Sequence, residues 1–162
     1  MDFKLHPEWQ GIQLLGTYWP MPKPDMDEIE KQTEELCKAD LAEEFVGDEF
    51  PKFCSPTFLV DKDKNKSEKV SKTRRMVGDY RKLNQRIVPH AVFLPDLEAT
   101  VEALASCKVK SKLDMRSGFW QVELTMQARD LTAFCIPNGR VFRWKIMLFG
   151  LSNAPGIFQE LR

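Results

Sequence analysis

The sequence predicts an α+β fold in which an antiparallel sheet packs on helices. Three observations carry that expectation. Residues 132–136 and 141–147 flank Pro137-Asn138-Gly139, and Asn-Gly between alternating segments is the strongest hairpin signal in the chain. Residues 57–60 and 75–80 are apolar runs on either side of about fourteen polar, Lys-rich residues, which reads as a second hairpin with a basic tip. Two further stretches, 25–39 and 94–104, repeat apolar residues at helical spacing.

The 162 residues suffice for one domain with a real core, or for part of a larger one. Hydrophobic content of 43% and charged content of 30% are ordinary for a globular chain and exclude wholesale disorder. Net charge is zero, but its distribution is uneven. Residues 25–49 hold eleven acids and two bases, while residues 61–86 hold ten bases and four acids. An acidic quarter followed by a basic patch suggests one face that meets phosphate; a solvated Lys-rich loop has the same composition. The four cysteines, Cys37, Cys54, Cys107 and Cys135, are scattered and far from His6 and His90. Neither a zinc site nor a disulfide framework is expected. With no signal peptide and no apolar run near 18 residues, a soluble, non-secreted protein in a reducing compartment is expected.

In chain order, Pro20, Pro22 and Pro24 force an extended path, so residues 1–24 read as a lead-in strap carrying Trp9, Leu14, Leu15, Tyr18 and Trp19. Asp25 precedes a helix whose first turn holds Asp27 and Glu28, where the macrodipole favours acids. Met26, Ile29, Thr33, Leu36 and Cys37 form its apolar face. It ends near Ala39, with Asp40 suited to a left-handed position. A short strand is expected over 41–46. Pro95 sits in the first turn of a second helix that buries Leu97, Val101 and Leu104. Residues 121–124 read as a strand and 126–130 as a helical turn. Phe134, Ile136, Phe142, Trp144 and Ile146 supply the buried side of the last hairpin. Ser152 or Asn153 then caps a helix with Pro155 near its start.

The stretch 108–121 bears most on chemistry. Val109, Ser111 and Leu113 alternate with Lys108, Lys110, Lys112 and Asp114, as in a strand. Asp114 thus stands at a strand end, just before a Ser117-Gly118 turn. On its own such an Asp reads first as a turn former. With backbone N–H groups beyond it, it also suits Mg²⁺ arriving with a triphosphate, because Mg²⁺ takes one or two carboxylates and fills its other positions with water and phosphate oxygens.

The order Arg75-Met76-Val77-Gly78-Asp79-Tyr80-Arg81-Lys82-Leu83-Asn84, Leu94-Pro95, Ser111-Lys112-Leu113-Asp114-Met115-Arg116-Ser117-Gly118-Phe119, Thr132-Ala133-Phe134, Met147-Leu148-Phe149-Gly150-Leu151-Ser152-Asn153-Ala154-Pro155 and Phe158-Gln159 resembles reverse transcriptase. The resemblance runs from about Glu28 to Arg162 and is closest in flavour to the polymerase of gypsy-type LTR retrotransposons. It implies a right-hand polymerase, with residues 25–162 forming the fingers and the first part of the palm. Asp114 matches the first catalytic aspartate, a ligand of Mg²⁺ (or Mn²⁺), with the Met115 carbonyl beside it. Ser117 and Gly118 would meet the incoming dNTP, and Phe119 would exclude a ribose 2′-OH. Lys62 and Arg75 would grip the β- and γ-phosphates, one as a point charge and the other as a forked donor. Phe149 and Gly150 would pack against nucleotide and template. Asp79, Arg81 and Asn84 would contact or support the template strand.

Three departures stand beside these matches. Gly78 replaces a branched apolar residue, Asp61 stands where Lys is frequent, and the finger loop is long. The Tyr-x-Asp-Asp hairpin of the family is missing, and the sequence holds no Asp-Asp pair. The expectation is therefore a fragment of an RNA-directed DNA polymerase that is inactive alone. Its partners would be a template-primer of RNA or DNA, dNTP, and the remainder of a Pol polyprotein with its palm, thumb and ribonuclease H, and no membrane. Its expected location is cytoplasmic, in a virus-like particle, or nuclear. The alternatives are a non-catalytic nucleic-acid-binding remnant of a transposon, and a degraded element without activity.

Overall fold

The computed structural model describes residues 1–9, 14–15, 20–47, 50–61, 74–91 and 96–161. The basic tip with Lys62, and the Leu94-Pro95 helix start, lie outside these residues. The described elements are β1 (Leu14–Leu15), α1 (Lys23–Lys38), β2 (Ala42–Glu44), β3 (Phe53–Asp61), β4 (Arg74–Gly78), α2 (Arg81–Asn84), α3 (Leu97–Ala105), α4 (Met126–Leu131), β5 (Phe134–Cys135), β6 (Val141–Trp144) and α5 (Ala154–Glu160). The α+β architecture follows: the sheet runs β1-β3-β5-β6-β2, and β4 pairs with β3 off that path.

Strand β3 organises the molecule because its two halves have different partners. Its first residues lie parallel to β1 and β5, at Phe53–Leu14 and Ser55–Phe134. From Thr57 onward it leaves the sheet and pairs antiparallel with β4, Thr57 opposite Gly78 and Asp61 opposite Arg74. This is the projecting hairpin that the two apolar runs predict. The second hairpin, β5–β6, turns as Asn-Gly requires, with Gly139 at φ +85° and its N–H donated to the Ile136 carbonyl.

Helix α1 buries Ile29 and Thr33 fully, half-buries Leu36 and Cys37, and ends with Asp40 at φ +60°. Its Gln32 completes the outer edge of β4. Nε2 donates to the Arg74 carbonyl at 3.0 Å, and Oε1 accepts from the Met76 N–H at 2.8 Å. One side-chain amide thus takes the two backbone groups that a neighbouring strand would take. Phe134, Phe142 and Trp144 pack ring on ring at the centre, with Ile136, Ile146 and Met147 around them. Tyr80 pins the base of the projecting hairpin to this core: its hydroxyl accepts from Trp144 Nε1 at 2.8 Å and donates to the Thr132 carbonyl at 3.3 Å. Burial pushes the Tyr80 hydroxyl well above the ordinary phenol value.

Five expectations need correction. Helix α1 starts at Lys23 with Pro22 at its N-cap position, so Lys23 and Pro24 are helical and Asp25 lies within the first turn rather than ahead of the helix, proline being tolerated at a helix start. Residues 108–114 form no strand, and Val109 and Leu113 are 85% and 95% exposed. Their alternation is correct, but among the described residues no strand pairs with them, and a strand exists only through its partner's hydrogen bonds. Residues 121–124 are likewise not a strand. Ser117 at φ +50° starts a single 3-10 turn over Gly118–Gln121, leaving one isolated bridge from Glu123 to Ile146. Helix α3 forms with Asp96 as its cap, yet Leu97 is 77% exposed, and Val101 and Leu104 are exposed with it. Finally, Asn153 occupies the N-cap position of α5 without capping it. Its amide instead accepts from His90 N–H at 3.1 Å and donates to the Val88 carbonyl at 2.9 Å.

Candidate functional site

Two adjacent arginines on β4 have opposite surroundings, as strand alternation dictates. Arg74 turns to α1 and makes a forked pair with Asp25 at 2.6 and 2.8 Å, which holds its guanidinium more firmly protonated. Arg75 is exposed and, among the described residues, its side chain makes neither a hydrogen bond nor an ion pair. It borders a groove of about 1110 Å³ between α1, β4 and the loop after β6, lined among others by Glu28, Gln32, Leu36, Trp120 and Phe149.

At the foot of β4 the chain turns into α2. Asp79 accepts two bonds from the Arg81 guanidinium, at 2.6 and 2.9 Å, and one from the Arg81 N–H. That guanidinium holds the Asp79 carboxyl below the usual carboxylate range. Asn84, at the end of α2, donates to the Gly150 carbonyl at 2.7 Å and accepts from the Ser152 N–H at 2.9 Å. The loop it holds starts after the buried Met147 and Leu148, exposes Phe149 and Gly150, and re-enters the core at Leu151. Gly150 sits at φ +94°, where a side chain would be strained.

That loop meets the Ser117 turn through aromatic rings. Phe119 lies 5.0 Å from Phe149, tilted, and 5.2 Å from Phe158, edge to face. Gly118 is required by close approach: a Cβ there would stand 2.6 Å from the Phe158 ring. Gly78 is explained in the same way. A Cβ on it would stand 2.6 Å from the Tyr80 ring, so the glycine that reads as a weak point in β4 makes room for the buried tyrosine.

The structure therefore brings Gly118, Phe119, Phe149 and Gly150 together, with Arg75 and Phe149 on one groove and Asn84 behind the loop. Asp114 and Met115 lie in the exposed segment leading to Ser117, outside regular structure. Among the described residues Asp114 makes no hydrogen bond or ion pair, and no group of three or more His, Cys, Asp or Glu is placed to hold a metal. One unpaired carboxylate suits a Mg²⁺ ion that arrives with phosphate oxygens, and falls short of a protein-held pair of ions. Sequence reasoning missed Gln32 and Trp120, and named Asn153 only as a helix cap. Trp120 alone carried a signal, as a large aromatic beside a turn glycine.

The model of the family described as reverse transcriptase (RNA-dependent DNA polymerase) matches residues 62–161. The chain belongs to this family. Among curated relatives it is 34% identical to the putative enzymatic polyprotein of Cassava vein mosaic virus, over 84% of this chain and 20% of that protein. It is 37% identical to the enzymatic polyprotein of Cauliflower mosaic virus (strain Strasbourg), over 88% of this chain and 19% of that protein. For Figwort mosaic virus (strain DxS) the figures are 40%, 65% and 15%. The chain thus spans about a fifth or less of the length of these relatives. They make it a reverse transcriptase domain related to plant pararetrovirus polyproteins, and they do not single out the gypsy-type retrotransposon that the motifs suggested. Among the described residues no helix of this reverse transcriptase chain is long and apolar enough to cross a membrane.

Proposed function

We propose that residues 25–162 are the fingers and first part of the palm of an RNA-directed DNA polymerase, with residues 1–24 a lead-in. The observation that carries this is the meeting of the Phe119 turn with the Phe149-Gly150 loop, beside a groove bordered by an unpaired Arg75. In this reading Arg75 grips the β- and γ-phosphates of a dNTP with its forked donors, joined by Lys62 as a point charge. The backbone N–H groups of Ser117 and Gly118 meet the triphosphate, and the Phe119 ring stands where a 2′-OH would fall. Phe149 and Gly150 pack against nucleotide and template. Asp79 pairs with the exposed Arg81, and in this reading the two contact or support the template strand.

Asp114 and the Met115 carbonyl would hold Mg²⁺ or Mn²⁺, which when bound would neutralise charge on the triphosphate while the nucleotidyl group passes to a primer 3′-OH and pyrophosphate leaves. The two-metal form of this chemistry needs further carboxylates. We assign them, with the thumb and ribonuclease H, to the remainder of a Pol polyprotein, whether of a virus or of a retrotransposon.

Primer extension tests this assignment. The 162-residue chain alone is expected to give no product on RNA or DNA templates. A longer product of the same reading frame is expected to extend primers and to lose that activity in Asp114→Asn. Extension that persists in Asp114→Asn overturns the assignment. The exposed, unclustered Asp114 also fits a second reading, a binding remnant without catalysis. Salt-dependent nucleic-acid binding that falls in Arg75→Ala, with no extension by any product, would favour that reading.

A further inference from the structure

Asn84 uses both ends of its amide on one loop. Nδ2 donates to the Gly150 carbonyl at 2.7 Å, and Oδ1 accepts from the Ser152 N–H at 2.9 Å. Buried Leu148 and Leu151 anchor the two ends of that loop, and its exposed middle rests on Asn84. The loop carries no strand pairing, its central glycine is at φ +94°, and Phe149 and Gly150 are exposed. Asn153 repeats the device one turn on, where its amide bridges to Val88 and His90 just beyond α2. Two asparagines thus fasten residues 150–153 to the 84–90 segment. Two rings meet Phe119 in the turn after Asp114: Phe158 of α5 edge to face at 5.2 Å, and Phe149 at 5.0 Å, of which only Phe149 belongs to the loop that Asn84 ties. The amide of Asn84, which the family resemblance gives as contacting or supporting the template strand, is already engaged with protein backbone.

We propose that Asn84 is a positioning residue: it fixes the 149–152 loop so that the Phe149 ring holds Phe119 in place, and discrimination between deoxyribose and ribose nucleotides runs through this clamp. The second half rests on the polymerase reading above; the first half does not. The chemistry is specific to an amide. Alanine removes both bonds. Aspartate keeps the acceptor for Ser152 but sets an anionic oxygen against the Gly150 carbonyl. Asn84 closes α2 over the buried Leu83 and Ile87, and both substitutions leave that packing in place.

The experiment compares the 162-residue chain with Asn84→Ala and Asn84→Asp by NMR and nucleotide titration. The first readouts are the Phe119–Phe149 ring-to-ring cross-peaks and exchange of the Ser152 amide. Asn84→Ala should abolish the cross-peaks and the Ser152 protection. Asn84→Asp should abolish the cross-peaks while keeping partial Ser152 protection. The second readout is the affinity ratio of Mg·dATP to Mg·ATP. It is expected to fall by about fivefold in both variants, equivalent to about one net hydrogen bond of positioning. A merely structural role would lower the melting temperature and leave this ratio unchanged. Cross-peaks that persist in both variants overturn the clamp. A ratio that stays the same although the two rings have separated overturns its role in sugar choice. If the unsubstituted chain binds neither nucleotide, the sugar-choice half of the proposal is overturned for this chain, while the polymerase reading is decided by primer extension and the clamp by the cross-peaks.

Discussion

Removing one oxygen atom, in Tyr80→Phe, tests how the projecting hairpin is fastened to the core. Tyr80 is 3% exposed, and its hydroxyl joins the Trp144 indole N–H at 2.8 Å to the Thr132 carbonyl at 3.3 Å. Phenylalanine keeps the ring against Gly78 and strands the indole N–H, which is buried with Trp144. An unsatisfied buried donor costs about 1–3 kcal/mol, and the longer bond to Thr132 adds little, so a loss of about 2 kcal/mol is expected. For a chain of this size that corresponds to a fall in melting temperature of roughly 4–8 °C. Urea unfolding should show a lower midpoint with the slope unchanged, since the surface exposed on unfolding is the same. The control is Trp144→Phe alone and combined with Tyr80→Phe. Once the indole is gone, the hydroxyl has lost its better partner, and the second substitution should cost well under half its single-variant value. Full additivity of the two substitutions, or a Tyr80→Phe loss below about 0.5 kcal/mol, would refute the buried pair as the fastening.

Three further outcomes follow from neighbouring residues. Arg74→Ala should lower the melting temperature by breaking the Asp25 fork, whereas Arg75→Ala should leave it unchanged and weaken Mg·dATP binding; calorimetry with nucleotide titration separates the two. Gly78→Val should destabilise by about 1–3 kcal/mol through overpacking on the Tyr80 ring, and Tyr80→Leu in the same chain should recover part of that loss, as read by denaturant midpoints. The Asp79 carboxyl is held below its unfolded value, so its contribution is present above about pH 4 and disappears as pH falls through the lower folded value. The stability gap between the unsubstituted chain and Asp79→Asn should therefore close in acid, and a gap that stays constant from pH 7 to pH 2 would contradict the Arg81 pair as its origin.

What the sequence made legible was local. Gly139 makes a turn with its own neighbours, and α1 is set by residues three and four apart, so both can be read from short windows. The hairpin of β3 and β4 was legible for the same reason, since its two strands announce each other across one loop. Reading failed wherever the deciding contact lay far along the chain. Leu97, Val101 and Leu104 are spaced as a buried face, but spacing states which side of a helix is apolar and not what covers it. Residues 108–114 alternate as a strand, yet alternation supplies no partner. Gly78 is a different case: its deciding neighbour, Tyr80, is only two residues on, but that ring folds back over the glycine because its hydroxyl is bound to distant Trp144 and Thr132.

The same division runs through the candidate site. The identities of Gly118, Phe119, Phe149 and Gly150 were legible as motifs, because each motif is contiguous. Their assembly was not, because it depends on an amide whose partners lie 66 and 68 residues away. Asn84, which the family resemblance placed at the template strand as a contact or a support, has its amide consumed by the Gly150 carbonyl and the Ser152 N–H. Arg75 is the reverse case: both β4 arginines line the groove, but Arg74 is spent on the Asp25 carboxylate, while the Arg75 side chain has no partner among the described residues. A polar residue near the groove is therefore a ligand-contacting residue only when its hydrogen-bonding groups are left over after the backbone has been served. By that criterion Arg75 and the carboxylate of Asp114 remain available to a ligand, while Asn84 and Asn153 belong to the frame that holds the loop.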